Sequence, residues 1–325
     1  MHAITMLEPG GPEVLKWTEQ PDPAPSQGEV LIDVAASAVN RADLLQRQGY
    51  YPAPPGTSQL IGLECSGRIA ALGDGVTDWR VGDEVCALLA GGGYAERVTA
   101  PAVQVMRVPT GVDLVTAAGL PEVACTVWSN LAMHAHLAAG EILLVHGGAG
   151  GIGTHAIQVG KALGATVAVT AGSRERLRRC AELGADITIN YREQDFIEVL
   201  GKRGADVILD NMGASYLDRN LSALAPDGRL MVIGFQGGRK AELDFTKVLP
   251  KRTSVTALGL RGRPVHGRHG KGAICAEVRE HLWPLVEQGA IKPITHEVIP
   301  MPEAARAHAA LEGAQGVFGK LILAV

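Results

Sequence analysis

Apolar positions change rhythm near residue 121. Before it they come in short runs, at residues 30–39, 67–72 and 84–89, with turn signals such as Gly73-Asp74-Gly75 and Arg80-Val81-Gly82-Asp83 between them. Short strands bounded by glycine and proline predict a compact, mostly β domain. One stretch within it differs: residues 41–56, RADLLQRQGYYPAPPG, read as a short helix ending at Gly49 and a proline-rich loop. Loops of that kind lie at the surface and often carry function.

From residue 122 onward strands and helices alternate. Ile142, Leu143, Leu144 and Val145 form a continuous apolar run, as expected of a parallel strand buried on both faces. Gly148, Gly150 and Gly153 then spell G-x-G-x-x-G, and Ile152, Ala156, Val159 and Leu163 recur at helical spacing. Further strands are predicted at 166–170, 187–189, 207–209, 230–233 and 255–258, and Leu177, Cys180 and Ala181 mark a helix that Gly184 can close. This alternation implies a doubly wound parallel sheet with its ligand at the carboxyl ends of the strands. The basic stretch 261–272, RGRPVHGRHGKG, reads as a solvated loop, and 273–287 as a helix. The closing apolar run 320–325 has no partner left in the doubly wound sheet, so it is expected to return to the N-terminal domain. The predicted organisation is therefore discontinuous, with 1–121 and 268–325 in one domain and 122–267 in the other.

Strand, glycines and helix in that order are the context a dinucleotide fingerprint requires. Glycine permits the tight turn and a close backbone approach, and the unpaired N–H groups of the first helical turn favour a pyrophosphate. Gly148, Gly150, Gly151, Ile152 and Gly153 are the expected contacts. An NAD site usually carries a carboxylate at the end of the second strand, to bind the ribose hydroxyls. Here that strand ends in Thr170-Ala171-Gly172-Ser173, followed by Arg174 and Arg176. With no carboxylate to repel a 2′-phosphate, and with Gly172, Ser173 and either arginine to receive it, the expected cofactor is NADPH.

Composition narrows the remaining classes. The 325 residues carry 30 Lys and Arg against 34 Asp and Glu, a net charge of −4, which makes nucleic acid an unlikely main partner. The start, MHAITMLEPGGPEVLKW, lacks a signal-peptide core, and no apolar run is long enough to span a membrane, so a cytoplasmic protein is expected. Cys65, Cys86, Cys125, Cys180 and Cys275 are scattered, with no C-x-x-C, so they read as small core residues in a reducing compartment.

Several motifs in fixed order carry a family resemblance: AVNRADLLQRQGYYPAPPG, IGLECSGRI, GDEVCALLAGGGYAERV, LPEVACTVWSNL, HGGAGGIGTHAIQ, INYREQDF and GKLIL. Together they resemble the zinc-independent medium-chain dehydrogenases/reductases, and within them the zeta-crystallin-like quinone oxidoreductases. The resemblance implies a Rossmann doubly wound parallel sheet inserted in a GroES-like, mostly β catalytic domain, with NADPH as reductant and quinones as substrates in an interdomain cleft. It points equally to a homodimer, for which an unpaired edge strand at 255–258 offers the contact. Where zinc-bearing alcohol dehydrogenases have a Cys, this chain resembles them at Asn40, and where they have Gly-His-Glu it has Gly62-Leu63-Glu64. A catalytic zinc needs three Cys, His or carboxylate ligands, which Asn40 and Leu63 cannot supply.

The same resemblance implies roles for further residues. Asn40 and Tyr51, the latter with Tyr50 beside it, would orient the acceptor through hydrogen bonds. Asp43 is expected to cap or pair locally, and Glu64 to order its neighbours. Thr126 would pack under the nicotinamide, Tyr191 would contact the phosphate, Gly234, Phe235 and Gln236 would border the cofactor, and Lys320 would stand in the Gly-Lys pair near it. Two other functions fit the sequence: an NADPH-dependent reductase of α,β-unsaturated carbonyl compounds, and a low-turnover NADPH-binding protein acting on RNA through residues 261–271. Metal independence is directly testable: activity is expected to survive exhaustive chelation, and stoichiometric zinc in the purified protein would contradict it.

Overall fold

Contacts divide the chain into two units, one of Met1–Cys125, Leu260–Gly289 and Pro293–Val325, the other of Thr126–Gly259 with Ala290–Lys292. The computed structural model describes residues 1–313 and 316–325. In the first unit β1 (His2–Thr5) and β2 (Lys16–Glu19) form an antiparallel ribbon. There follow β3 (Glu29–Ala38), β4 (Glu64–Leu72), β5 (Glu84–Leu88), β6 (Arg97–Pro101) and β7 (Val105–Arg107). The second unit contributes β8 (Ile142–His146), β9 (Thr166–Ala171), β10 (Ile187–Asn190), β11 (Ala205–Asp210), β12 (Leu224–Val232) and β13 (Ser254–Ala257). The chain then returns to the first unit with β14 (Thr295–Pro300) and β15 (Lys320–Ala324).

The return of the last strand is a sheet pairing. The first sheet runs β14-β15-β3-β4-β5-β7 with β6 also on β3, and β15 lies antiparallel to β3 with Ile322 opposite Ala38. Alternating inward residues of β3, Val30, Ile32 and Val34, pack with Ile69, Val85 and Leu323 into the core of this unit. The period of two on β3 is what puts them on one face.

The second sheet is parallel throughout, in the order β10-β9-β8-β11-β12-β13. Leu143, Leu144 and Val145 of β8 are fully buried, as a central strand covered on both faces demands. Winding reverses between β8 and β11, which sets the ligand crevice at the carboxyl ends of those two strands. The α/β class with a Rossmann sheet and a GroES-like partner is the observed architecture.

Three local expectations need correction. Strand β12 begins at Leu224, well before the expected residue 230, because Pro226-Asp227-Gly228 reads as a turn but lies inside the strand, where the register with β11 shifts. Asp227 takes φ +61 there, the kind of irregularity a bulge imposes. The helix expected over 273–287 is two, Lys271–His281 and Trp283–Glu287. Pro284 has no N–H to continue the first helix, and its ring would clash with the preceding turn. Finally, residues 261–272 are not solvated throughout, since Arg261 and Lys271 are 3% and 4% exposed.

Candidate functional site

In the second unit the glycines of the fingerprint have separable jobs. A Cβ on Gly153 would lie 2.3 Å from the carbonyl oxygen of Gly147, and one on Gly148 would lie 2.8 Å from Cβ of Val169. These two positions allow the helix Gly151–Ala162 to approach the strands. A Cβ on Gly150 would meet only the Gly147 oxygen, at 3.6 Å, so this position faces open space. Gly147 itself sits at φ +74, in the left-handed region that favours glycine. The first intrahelical bond after the loop is Thr154 N–H to Gly150 O, so the N–H groups of Gly151, Ile152 and Gly153 precede the ladder. A cradle without side chains, ending in free helical N–H groups, fits a dinucleotide pyrophosphate.

The loop is anchored from below. His146 Nε2 lies 2.8 Å from Asn220 Oδ1, and its Nδ1 lies 3.2 Å from Thr170 Oγ1, which also accepts the Gly147 N–H. Burial lowers the His146 pKa to about 4, so the ring is a neutral strut. Beside the loop Asn211, just beyond β11, was not foreseen from sequence. Its Oδ1 is buried with no partner among the described residues, and its Nδ2 lies 2.9 Å from where a Gly147 Cβ would be. A polar residue at the carboxyl end of a strand beside the winding reversal is the signal that could have marked it. Gly234 packs at the same place, because a Cβ there would lie 3.0 Å from the Asn211 backbone carbonyl oxygen, which accepts the Gln236 N–H. Phe235 is exposed, with the Arg239 guanidinium 5.2 Å from its ring centre.

The expected ribose end gathers at β9 and β10. Ser173 caps the helix Arg174–Glu182, its Oγ accepting the Arg176 N–H at 3.3 Å, which leaves the hydroxyl proton to donate. Tyr191 lies across Gly172, where a Cβ would come within 2.5 Å of its hydroxyl and 3.3 Å of Arg192 Nε. Arg192 was missed in the sequence, although a basic residue directly after Tyr191 is its signal. Arg174 is exposed, 3.6 Å from the Glu193 carboxylate, and Arg176 is partly buried. Thr126 is nearly buried, its carbonyl accepting from Asn130 Nδ2 at 2.8 Å.

The first unit holds a buried polar network. Lys320 Nζ donates to Glu64 Oε1 (2.7 Å), Asn40 Oδ1 (2.7 Å) and the Val39 carbonyl (3.3 Å). An ammonium has three protons, so all are engaged. Lys320 is 7% exposed and Glu64 fully buried. Lys320 was expected near the cofactor, and here its three protons are turned to Glu64, Asn40 and Val39. Asn40 Nδ2 donates to Glu64 Oε1 (2.8 Å) and to Ala38 O (3.3 Å), which engages both amide protons. A free donor was expected of Asn40, and here it is a bracket between Lys320 and Glu64.

Asp43 lies in the first turn of the helix Arg41–Arg47, accepting the Asn40 N–H at 2.7 Å and the Gly62 N–H at 3.3 Å, as a local pairing role predicts. Tyr94 Oη donates to its Oδ2 at 3.3 Å and lies 3.2 Å from His308 Nε2. Complete burial, with Glu64's charge adding to it, raises the Asp43 pKa to about 7 against the Asn40 hydrogen bond and Lys320. Glu122, on the first turn of the helix Pro121–Trp128, donates its N–H to Glu64 Oε2 at 2.9 Å. Burial, Glu64 and Asp43 raise its carboxyl to about 8. Arg261 reaches Ala90 O (2.7 Å), Tyr51 O (3.2 Å) and Gln46 Oε1 (2.7 Å), with its guanidinium 5.3 Å from the Tyr51 ring centre. Tyr51 is partly buried, which raises its pKa, and an ionised Glu122 would raise it further. Its hydroxyl has no hydrogen bond among the described residues. The donor set does not fit zinc: Leu63 has no ligand atom, Asn40 offers an amide, and Glu64 Oε1 already faces an ammonium.

The chain is similar in sequence and fold to known proteins. A family model described as an alcohol dehydrogenase GroES-like domain matches residues 26–110, and one described as a zinc-binding dehydrogenase matches residues 151–266. The chain is 32% identical to a quinone oxidoreductase of Rattus norvegicus over 329 residues, covering 99% of this chain and 97% of that one. It is 31% identical to a 2-haloacrylate reductase of a Burkholderia species, covering 99% and 98%. Escherichia coli quinone oxidoreductase, solved in complex with NADPH, superposes with a TM-score of 0.89 at 29% identity, covering all of both chains.

The network makes a stability prediction. Lys320→Met leaves Glu64 buried without a counter-charge and is expected to cost ~3–5 kcal/mol in urea unfolding. The double variant Lys320→Met/Glu64→Gln is expected to recover most of that loss. Additive losses in this cycle would show that the pair is not coupled.

Proposed function

The chain belongs to the medium-chain dehydrogenase/reductase family, and on that premise we propose that it is a zinc-independent, NADPH-dependent reductase of quinones. The observation that carries the reading is the pairing of Glu64 with Lys320 and Asn40, which puts a fixed ammonium and an amide where a metal would need ligands. Without a Lewis acid, alcohol oxidation loses its main driving device. A quinone is already a strong hydride acceptor and needs less help.

The second unit would hold the dinucleotide through Gly148, Gly150, Gly151, Ile152 and Gly153 at the pyrophosphate, with Asn211, Gly234, Phe235 and Gln236 beside them. Ser173, Arg174, Arg176, Tyr191 and Arg192 would receive the 2′-phosphate, which the missing carboxylate at the end of β9 leaves unopposed. NADPH, when bound, supplies hydride. The first unit would orient the acceptor, with the Tyr51 hydroxyl as donor and Asn40 fixing the floor beneath it. Reductases of activated alkenes use the same parts, and the likeness to a 2-haloacrylate reductase favours α,β-unsaturated carbonyls as the second reading. An RNA-binding role draws less support, because Arg261 and Lys271 of the basic stretch turn inward.

A homodimer paired along β13 also fits. This edge strand of the second sheet leaves Val255 41% exposed, and symmetric pairing would cover it. Light scattering at micromolar concentration is expected to give twice the chain mass, and a monomer would count against it.

Turnover of NADPH with a panel of quinones and enones tests the function, the expected outcome being faster oxidation with quinones. Cofactor choice is read separately from dissociation constants. Wild type is expected to prefer NADPH over NADH, and each true phosphate contact to supply roughly 10- to 100-fold. Arg174→Ala, Arg176→Ala and Arg192→Ala, alone and combined, apportion that preference. A triple variant that keeps it would show that the arginines do not read the phosphate.

A further inference from the structure

Hydrogen bonds link three acidic residues in the first unit: Asp43 of the helix Arg41–Arg47 accepts the Asn40 N–H, Asn40 donates to Glu64 of β4, and Glu122 of the helix Pro121–Trp128 donates its backbone N–H to Glu64. Their surroundings separate them. Glu64 is the neutralised member, held by Lys320, the Asn40 amide and the Glu122 N–H. Asp43 is fully buried, and its oxygens are engaged by two N–H groups and the Tyr94 hydroxyl. The Glu122 carboxyl differs from both: it has no hydrogen-bond partner among the described residues, and its residue is partly exposed.

The charges facing Glu122 come from every side: Glu64 on β4, Asp43, Lys320 on β15 and Arg261 after β13. Tyr51 on the proline loop, Cys125 on its own helix and Lys271 on the helix Lys271–His281 in turn feel its charge. Lys320 is spent on Glu64, and Arg261 donates to two carbonyls and an amide rather than to a carboxylate. A second negative charge beside Glu64 therefore has no close counter-ion, and burial outweighs what the helix N-terminus offers. The result is a carboxyl that keeps its proton to about pH 8 yet can exchange it with water. Two carboxyls in one site whose environments differ, one ion-paired and one without a partner among the described residues, are the pattern by which acid and charge-stabilising roles are divided.

We propose that Glu122 is the acid that protonates the reduced substrate. The inference rests on the reductase reading above and adds the proton source to it. Hydride brings two electrons and one hydrogen to the acceptor, leaving a hydroquinone monoanion, or an enolate in the case of an enone. The O–H bond of Glu122 then breaks, the proton goes to that anion to give the neutral product, and Glu122 is left as a carboxylate that regains a proton from water. Glu64 stays held in its ion pair with Lys320, and its charge beside Glu122 favours return of the proton to Glu122.

Glu122→Gln tests this, since it keeps the backbone N–H to Glu64 and the side-chain shape but has no acidic proton. With the acceptor that wild type reduces, kcat at pH 7 is expected to fall roughly 100-fold, at the lower end of general-acid effects, while the NADPH dissociation constant stays unchanged. The wild-type kcat is expected to decline as pH rises through about 8, because the acid is lost there, and that alkaline limb should vanish in Glu122→Gln and persist in Glu122→Asp. Infrared difference titration of the cofactor-free protein should show a carboxylic acid that ionises near pH 8 in wild type and is missing in Glu122→Gln. An unchanged rate and alkaline limb in Glu122→Gln, or a Glu122 already ionised at pH 6, would overturn the role while leaving the reductase reading intact. A wild type that oxidises NADPH with neither quinones nor enones would remove the reading itself, and this role with it.

Discussion

The structure of the first unit depends on one buried ion pair. Glu64 and Lys320 are 256 residues apart in the chain, yet their charged atoms meet at 2.7 Å with almost no water around them. Burying either alone would cost several kcal/mol, so the pair specifies an arrangement more than it adds stability. It fixes β15 against β3 and β4, because only that register brings the ammonium to Glu64, Asn40 Oδ1 and the Val39 carbonyl together. Everything polar nearby is arranged around it. Asn40 bridges both partners, the helix carrying Glu122 is tied to the second carboxylate oxygen, and Asp43 is left to the Asn40 and Gly62 N–H groups and the Tyr94 hydroxyl.

How much of this was legible in the sequence follows from the range of each interaction. The strand, glycines and helix from Ile142 to Ala162 could be read because their periodicity and turn chemistry are local. The doubly wound order followed from alternation, and the return of the last strand from the lack of any other partner for its apolar residues. Arg261 was misread because a basic, glycine-rich segment looks solvated until its distant acceptors at Ala90, Tyr51 and Gln46 are seen. The internal partners of Lys320 were hidden for a similar reason, since Val39, Asn40 and Glu64 lie in a distant part of the chain that sequence spacing does not connect to it. Arg192 and Asn211 were overlooked although each directly follows a recognised strand-end signal. Glu122 could not be singled out at all, since an acidic residue in a first helical turn is ordinarily a favourable cap for the helix dipole. Only the nearness of two other carboxyls changes its character.

The two units use polarity in opposite ways. In the second, the glycine loop removes side chains so that backbone donors can serve a ligand, and the surrounding His146, Thr170 and Asn220 merely hold it. In the first, side chains do the work, and nearly every donor has an internal acceptor. Among the described residues the Tyr51 hydroxyl and the partly exposed Glu122 carboxyl are left without a partner, as are buried Arg47 Nη1 and His308 Nδ1, and the first two are where that unit retains chemistry to offer.

The discontinuity of the first unit also sets an order of events during synthesis. Residues 126–259, all of the second unit but Ala290–Lys292, are contiguous and can assemble soon after they leave the ribosome. The first unit cannot, although its N-terminal portion emerges earlier. Until Lys320–Ala324 is made, β3 lacks one of its neighbours and Glu64 lacks its cation. The nascent first sheet must wait with an open edge and an uncompensated acid, so the earliest part of the chain to be translated is among the last to be completed.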